Sequence, residues 1–154
     1  MSYSTWHDYG FGICVDDIKT TEDKVFELVH LAPNFEKDFY QWIENFREDG
    51  DPESIAELMT MDQIDEYEDR SCCMRGLGVI IKGVIEECED IHLLACDDFN
   101  GYQYLIFSMQ YPWYMSEKEK SMTEKDVYDL FNKYVSILTD EFVSIDYQEV
   151  ENGG

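Results

Sequence analysis

Positive charge is what this chain has least of. Eleven Lys and Arg stand against 35 Asp and Glu, a net charge of −24 at pH 7 over 154 residues. Binding to nucleic acid rests on Lys and Arg that neutralise phosphates, so the composition excludes a general DNA or RNA binder. It equally disfavours adsorption to an anionic membrane. Long apolar runs are missing too: the stretch Leu77–Ile85 is broken by Gly78, Lys82 and Gly83 and is far too short to span a bilayer. The opening Met1–Asp8 has neither the basic region nor the apolar core of a signal peptide, which leads us to expect a cytoplasmic protein.

Catalytic signatures are also absent. There is no G-x-S-x-G, no H-E-x-x-H and no P-loop, and the three histidines (His7, His30, His92) sit in no recognisable setting. Paired carboxylates are so abundant that their presence discriminates nothing. The five cysteines (Cys14, Cys72, Cys73, Cys88, Cys96) form an odd count without a framework spacing, which reads as reduced thiols. Cys88, His92 and Cys96 are spaced four apart but lack the second ligand pair of a zinc site. The run Asp62–Asp69 lacks the glycine and terminal Glu of a calcium loop. The expectation is a non-enzyme without cofactor or metal.

What the chain does have is enough apolar matter for a core. Hydrophobic residues make up 44% and aromatics 15%, which excludes intrinsic disorder despite the charge. With no repeat and no linker, residues 1–154 read as one acidic α+β domain. A first strand is expected over Tyr9–Val15, then a helix capped by Thr20 or Thr21 that runs to about Leu31. Phe35, Phe39, Trp42, Ile43 and Phe46 follow helical spacing after Pro33. Asp51-Pro52 opens a further helix to Met59. Leu77, Ile80, Ile81, Val84, Ile85 and Cys88 mark another helix, in which Gly76, Gly78 and Gly83 suggest close packing. Strands follow at Ile91–Cys96 and Tyr102–Met109, joined through Asn100-Gly101, then a helix capped by Thr123 and a last strand over Phe142–Val150. The order β-α-α-α-β-β-α-β gives a small, mostly antiparallel sheet of about four strands under four to five helices.

The acid is unevenly distributed. From Glu36 to Asp69 there are 13 acids against Lys37 and Arg47, a net of −11. Glu86–Asp98 holds six acids and Asp140–Glu151 five, neither with a base. A domain of this length is about 40 Å across, and a duplex of ~40 Å carries about 24 charges. The net charge therefore equals that of a nucleic-acid segment of the same length, and nucleic-acid mimicry is the sharper reading. The expected partner-binding residues are Glu44, Glu48, Asp49, Asp51, Glu53, Glu57, Asp62, Asp65, Glu66, Glu68, Asp69, Asp97 and Asp98. Trp113 and Tyr114, in the segment Tyr111-Pro112-Trp113-Tyr114, would serve as aromatic anchors.

The opening Met1–Gly12, the Tyr111-Pro112-Trp113 segment and the ending Asp146–Gly154 resemble those of small acidic proteins carried on mobile elements of gut bacteria. In its compact acidic α+β character the chain resembles the type II anti-CRISPR inhibitors. That resemblance implies an inhibitor of a type II CRISPR effector nuclease, occupying the basic groove that holds DNA or RNA. Two other readings use the same electrostatics: an anti-restriction protein, and an immunity or antitoxin protein against a basic toxin.

Overall fold

A computed structural model describes residues 5–46, 60–69, 74–108 and 115–153. Its centre is a four-stranded antiparallel sheet of strand order β4-β5-β1-β6, with β1 at Thr5–Cys14, β4 at Leu94–Asp97, β5 at Gln103–Ser108 and β6 at Asp146–Gly153. The register sets Ile13 opposite Leu105, Gly10 opposite Gln148, and Cys96 opposite Tyr104. Alternation along the strands sends Phe11, Ile13, Ala95, Leu105 and Phe107 to the face covered by helices. The opposite face carries a second, small buried cluster of Cys96, Ile106 and Val150.

The helical layer has six members among the described residues: α1 Glu22–Val29, α2 Pro33–Phe46, α3 Met61–Ile64, α4 Leu77–Glu89, α5 Glu117–Ser121 and α6 Glu124–Leu138. Helix α1 packs against α6 and α4, α4 crosses β4 and β5, and α6 lies over β1. The apolar stripe expected on α2 meets its purpose. Phe39 and Ile43 are fully buried, and Trp42 stacks on Phe39 with Tyr67 edge-on at 5.2 Å from the Trp42 ring. The stripe expected on α4 is buried from Leu77 to Ile85, but Cys88, expected at its end, is exposed in the last turn of the helix; on α6, Phe131 and Leu138 are fully buried. Thr123 caps α6 as expected, its Oγ1 accepting from the Asp126 N–H at 3.2 Å.

The α+β class and the broad order of elements are those expected from the sequence, with several corrections. Strand β1 begins at Thr5, four residues early, because Thr5–Asp8 finds its partner in the distant Val150–Gly153 end of β6. Strand β4 begins at Leu94 rather than Ile91. The last strand begins at Asp146, so Phe142–Ile145 is loop. Its apolar alternation misleads: Val143 is buried and Phe142 is 89% exposed, yet no ladder partner is left there. Pairing of β1 with β6 stops at Gly12, whose position admits no side chain, since a Cβ there would stand 2.1 Å from the Leu105 carbonyl oxygen. Beyond Gly12, β1 pairs with β5 alone. Two short helices, α3 and α5, and a two-stranded ribbon of β2 (Glu68–Asp69) and β3 (Met74–Arg75) were not expected. The helix expected at Asp51–Met59 lies outside the described residues.

The glycines of α4 do mark close packing. A Cβ at Gly83 would stand 2.2 Å from the Phe35 ring, and one at Gly78 would stand 2.3 Å from Gln103 Oε1. Gly76, with φ of 97°, turns the chain from β3 into the helix in a conformation that side chains disfavour.

Candidate functional site

The carboxylates of this protein separate into two populations. One set holds the fold together through backbone N–H groups and ion pairs. Glu87 accepts from the Asn34 and Phe35 N–H groups at 3.0 and 2.8 Å, capping α2 from α4. Glu22 accepts from the Met61 N–H at 3.1 Å, and Glu86 joins the Leu93 N–H to Lys82. Glu119, only 4% exposed, accepts from the Ser116 and His92 N–H groups at 2.9 and 3.0 Å. Glu89 takes the Tyr134 hydroxyl at 2.7 Å and pairs with Lys118 and Lys133. Three of the six acids in the run Glu86–Asp98 are therefore structural.

The second set forms a ridge. Asp62 lies in the first turn of α3 and Asp65 is its C-cap, Asp16 sits in the 3-10 turn Val15–Asp17 after β1, and Asp97 ends β4 with Asp98 next after it. Each lies near enough to at least one other for their charges to interact. Partial burial raises the Asp65 carboxyl; a hydrogen bond from the Leu77 N–H offsets part of this, and repulsion from Asp62 and then Asp16 adds to it. Asp97 is raised by burial, then by Asp16, then by Asp98. Asp16 is the common neighbour of both. No Lys, Arg or His among the described residues pairs with any of the five within 4.0 Å. The ridge borders an open cleft of about 560 Å³ lined by Asp16, Asp65, Asp97 and Gln103, with Lys19 and Arg75 on its wall.

The opposite side of the charge balance is compensated. Four of the eleven bases fall on α5 and α6, and each has an acid: Lys118 and Lys133 share Glu89, Lys120 pairs with Glu117 at 3.4 Å, and Lys125 with Asp129 at 3.1 Å. Each base of α5 and α6 thus has a carboxylate within 4.0 Å, whereas none of the five ridge carboxylates has a cation within that distance among the described residues.

Of the residues expected from the sequence to bind a partner, the structure gathers Asp62, Asp65, Asp97 and Asp98 into this ridge. Glu66 and Glu68 are exposed in the adjoining segment, with Glu68 facing Arg75 at 3.7 Å. Glu44 is exposed on α2. Glu48, Asp49, Asp51, Glu53, Glu57, Trp113 and Tyr114 lie outside the described residues, as does the side chain of Asp69. Asp16 was missed by the sequence reading because it belongs to no dense acidic run. Only its place after a strand and its neighbour Asp17 could have suggested it.

The thiol and histidine spacings do not assemble. Cys96 is buried on the face of the sheet opposite the helices, Cys88 is exposed at the end of α4, and His92 leans on Glu119 at 3.4 Å. Among the described residues, no three His, Cys, Asp or Glu are grouped to hold a metal ion. No helix among them is long and apolar enough to cross a membrane. No protein-family model matches the sequence, and no curated protein or solved structure matches it either.

Proposed function

We propose that this protein is a binding inhibitor that presents its acidic ridge to the basic groove of a nucleic-acid-processing enzyme. The target class implied by the resemblance is a type II CRISPR effector nuclease. The observation that carries this reading is the group of ridge carboxylates that form no ion pair among the described residues. Asp16, Asp62, Asp65, Asp97 and Asp98 lie close together with no cation within 4.0 Å of them among the described residues, although doing so costs the fold repulsion. Three of them are held by backbone donors rather than by counter-charges: Asp16 by the Gln103 N–H, Asp65 by the Leu77 N–H, and Asp98 by the Asn100 and Tyr102 N–H groups. Carboxylates fixed in this way remain fully available to Arg and Lys that normally hold phosphates. The protein acts by occupying the groove, with no reaction of its own and no contact with nucleic acid.

Cleavage by a purified type II effector nuclease, titrated with this protein, tests the reading. Inhibition is expected to weaken between about 50 and 300 mM salt, where the screening length falls from roughly 14 to 6 Å. Reversal of three ridge-side acids whose side chains make no hydrogen bond among the described residues (Asp62→Lys, Glu66→Lys, Asp97→Lys) is expected to slow association about tenfold or more. A folded triple variant that inhibits as well as the parent at the same salt overturns the reading.

A further inference from the structure

The ridge carries an arm with exposed aromatic rings. The connection from β4 to β5 is closed on one side chain: Asp98 Oδ1 accepts from the Asn100 and Tyr102 N–H groups at 2.8 and 3.0 Å. The Asp98 N–H donates to the Tyr102 carbonyl at 3.0 Å, and Gly101 adopts φ of 83° to complete the turn. This short loop is therefore internally tied, and it holds Phe99 61% exposed and Tyr102 52% exposed. Large apolar rings on a tied loop, beside acids that form no ion pair among the described residues, are poorly explained by solubility.

The arm has a cleft on either flank. Asp16, Asp97 and Gly101 line the 560 Å³ cleft on one side. Asp17, Tyr102 and Tyr104 line another, of about 400 Å³, on the other side. The consecutive residues Asp16 and Asp17 thus contribute one carboxylate to each cleft, and Tyr102 stands by the second.

A side chain that suits both an aromatic face and a carboxylate is the guanidinium of arginine. It is planar and weakly hydrated, stacks on rings and bonds carboxylates through two parallel N–H groups. The ammonium of lysine is a compact, strongly hydrated charge with neither geometry. The geometry points to the β4–β5 arm as the docking element of the proposed interface, seating arginine side chains of the basic partner beside Phe99 and Tyr102 and against Asp16, Asp17 and Asp97. This inference rests on the inhibitor reading and names the chemistry by which the ridge selects its partner.

Calorimetric titration of the full chain with an oligo-arginine peptide and an oligo-lysine peptide of equal length, at about 150 mM salt, tests it. The parent is expected to prefer the arginine peptide by about fivefold or more. In the double variant Phe99→Ala, Tyr102→Ala the two affinities are expected to become equal, with an unchanged circular dichroism spectrum. Tyr128→Ala on α6, where Tyr128 is also exposed, is expected to keep the preference. Equal affinities in the parent, a preference that survives in the double variant, or no binding of either peptide overturns the inference. A double variant that loses the arginine preference yet inhibits the nuclease as well as the parent overturns the arm as docking element and leaves the inhibitor reading of the ridge standing.

Discussion

The Gln103 N–H donates to Asp16 Oδ2 at 2.6 Å, joining the start of β5 to the turn after β1. The same glutamine, only 8% exposed, accepts from the Gly78 N–H at 2.9 Å and donates from Nε2 to the Arg75 carbonyl at 2.7 Å. One side chain therefore ties the entry of α4 to the sheet, and its backbone holds the carboxylate at the middle of the ridge.

Replacing Gln103 by Leu, of similar size, leaves the Gly78 N–H and the Arg75 carbonyl without their partner. The expected loss is about 2–4 kcal/mol. Urea denaturation is expected to show a lower midpoint with an unchanged slope. A loss below about 1 kcal/mol would mean that water replaces the side chain at both groups.

Gly83→Ala tests close packing against local propensity. Alanine would favour the helix by about 1 kcal/mol. Its Cβ, however, would stand 2.2 Å from the Phe35 ring. That ring is held at 5.6 Å from Tyr67 and 6.2 Å from Phe39, and the Phe35 N–H is bonded to Glu87, so it has little freedom to retreat. A net loss of about 1–3 kcal/mol is expected. The pair Gly83→Ala, Phe35→Leu is expected to recover part of it, measured as a double-mutant cycle.

Stability is expected to peak at mildly acidic pH. Asp65 and Asp97 have carboxyls raised above the ordinary 3.8, so the folded state binds protons that the unfolded chain releases. Stability from these groups therefore grows as pH falls from neutral through their folded pKa values towards 3.8. Glu89 and Glu119 act in the opposite sense. Burial raises each, but the Tyr134 hydroxyl and two lysines outweigh it at Glu89, as do the Ser116 and His92 donors at Glu119, leaving both below 4.5. Their contribution is present above 4.5 and is lost as pH falls through their lowered values. Thermal melts from about pH 8 to pH 3 are expected to rise and then fall. The variant Asp65→Asn, Asp97→Asn is expected to flatten the rise and leave the fall.

The thiols are expected to differ in reactivity. Burial first, then Asp8, Asp97 and Asp98, pushes the Cys96 thiol up to about 12, and the residue is 5% exposed. Cys88 is exposed. In variants retaining one cysteine each, Cys88 is expected to react with an aromatic disulfide reagent in native buffer and Cys96 only in denaturant. Equal rates would show that the second face of the sheet opens readily.

The amino-acid sequence determined the parts of this fold that repeat over a few residues. The buried faces of α2, α4 and α6 were legible because a helix returns an apolar side chain to the same side every three or four positions. The Thr123 cap was legible because capping is decided within one turn. The sequence also set the charge, which comes from composition alone. Tertiary structure decided the rest, because the deciding partners are far apart along the chain. Strand β1 starts at Thr5 only because the end of β6 returns beside it, and Phe142–Ile145 loses its strand only because β1 pairs with β5 alone past Gly12. The same holds for the ridge. Density along the chain favoured the Glu36–Asp69 run, yet an acid's role follows from what the folded chain sets beside it. Glu87 became a helix cap, Glu119 a buried acceptor, and Asp16, isolated from the long acidic runs, the centre of the bare charge.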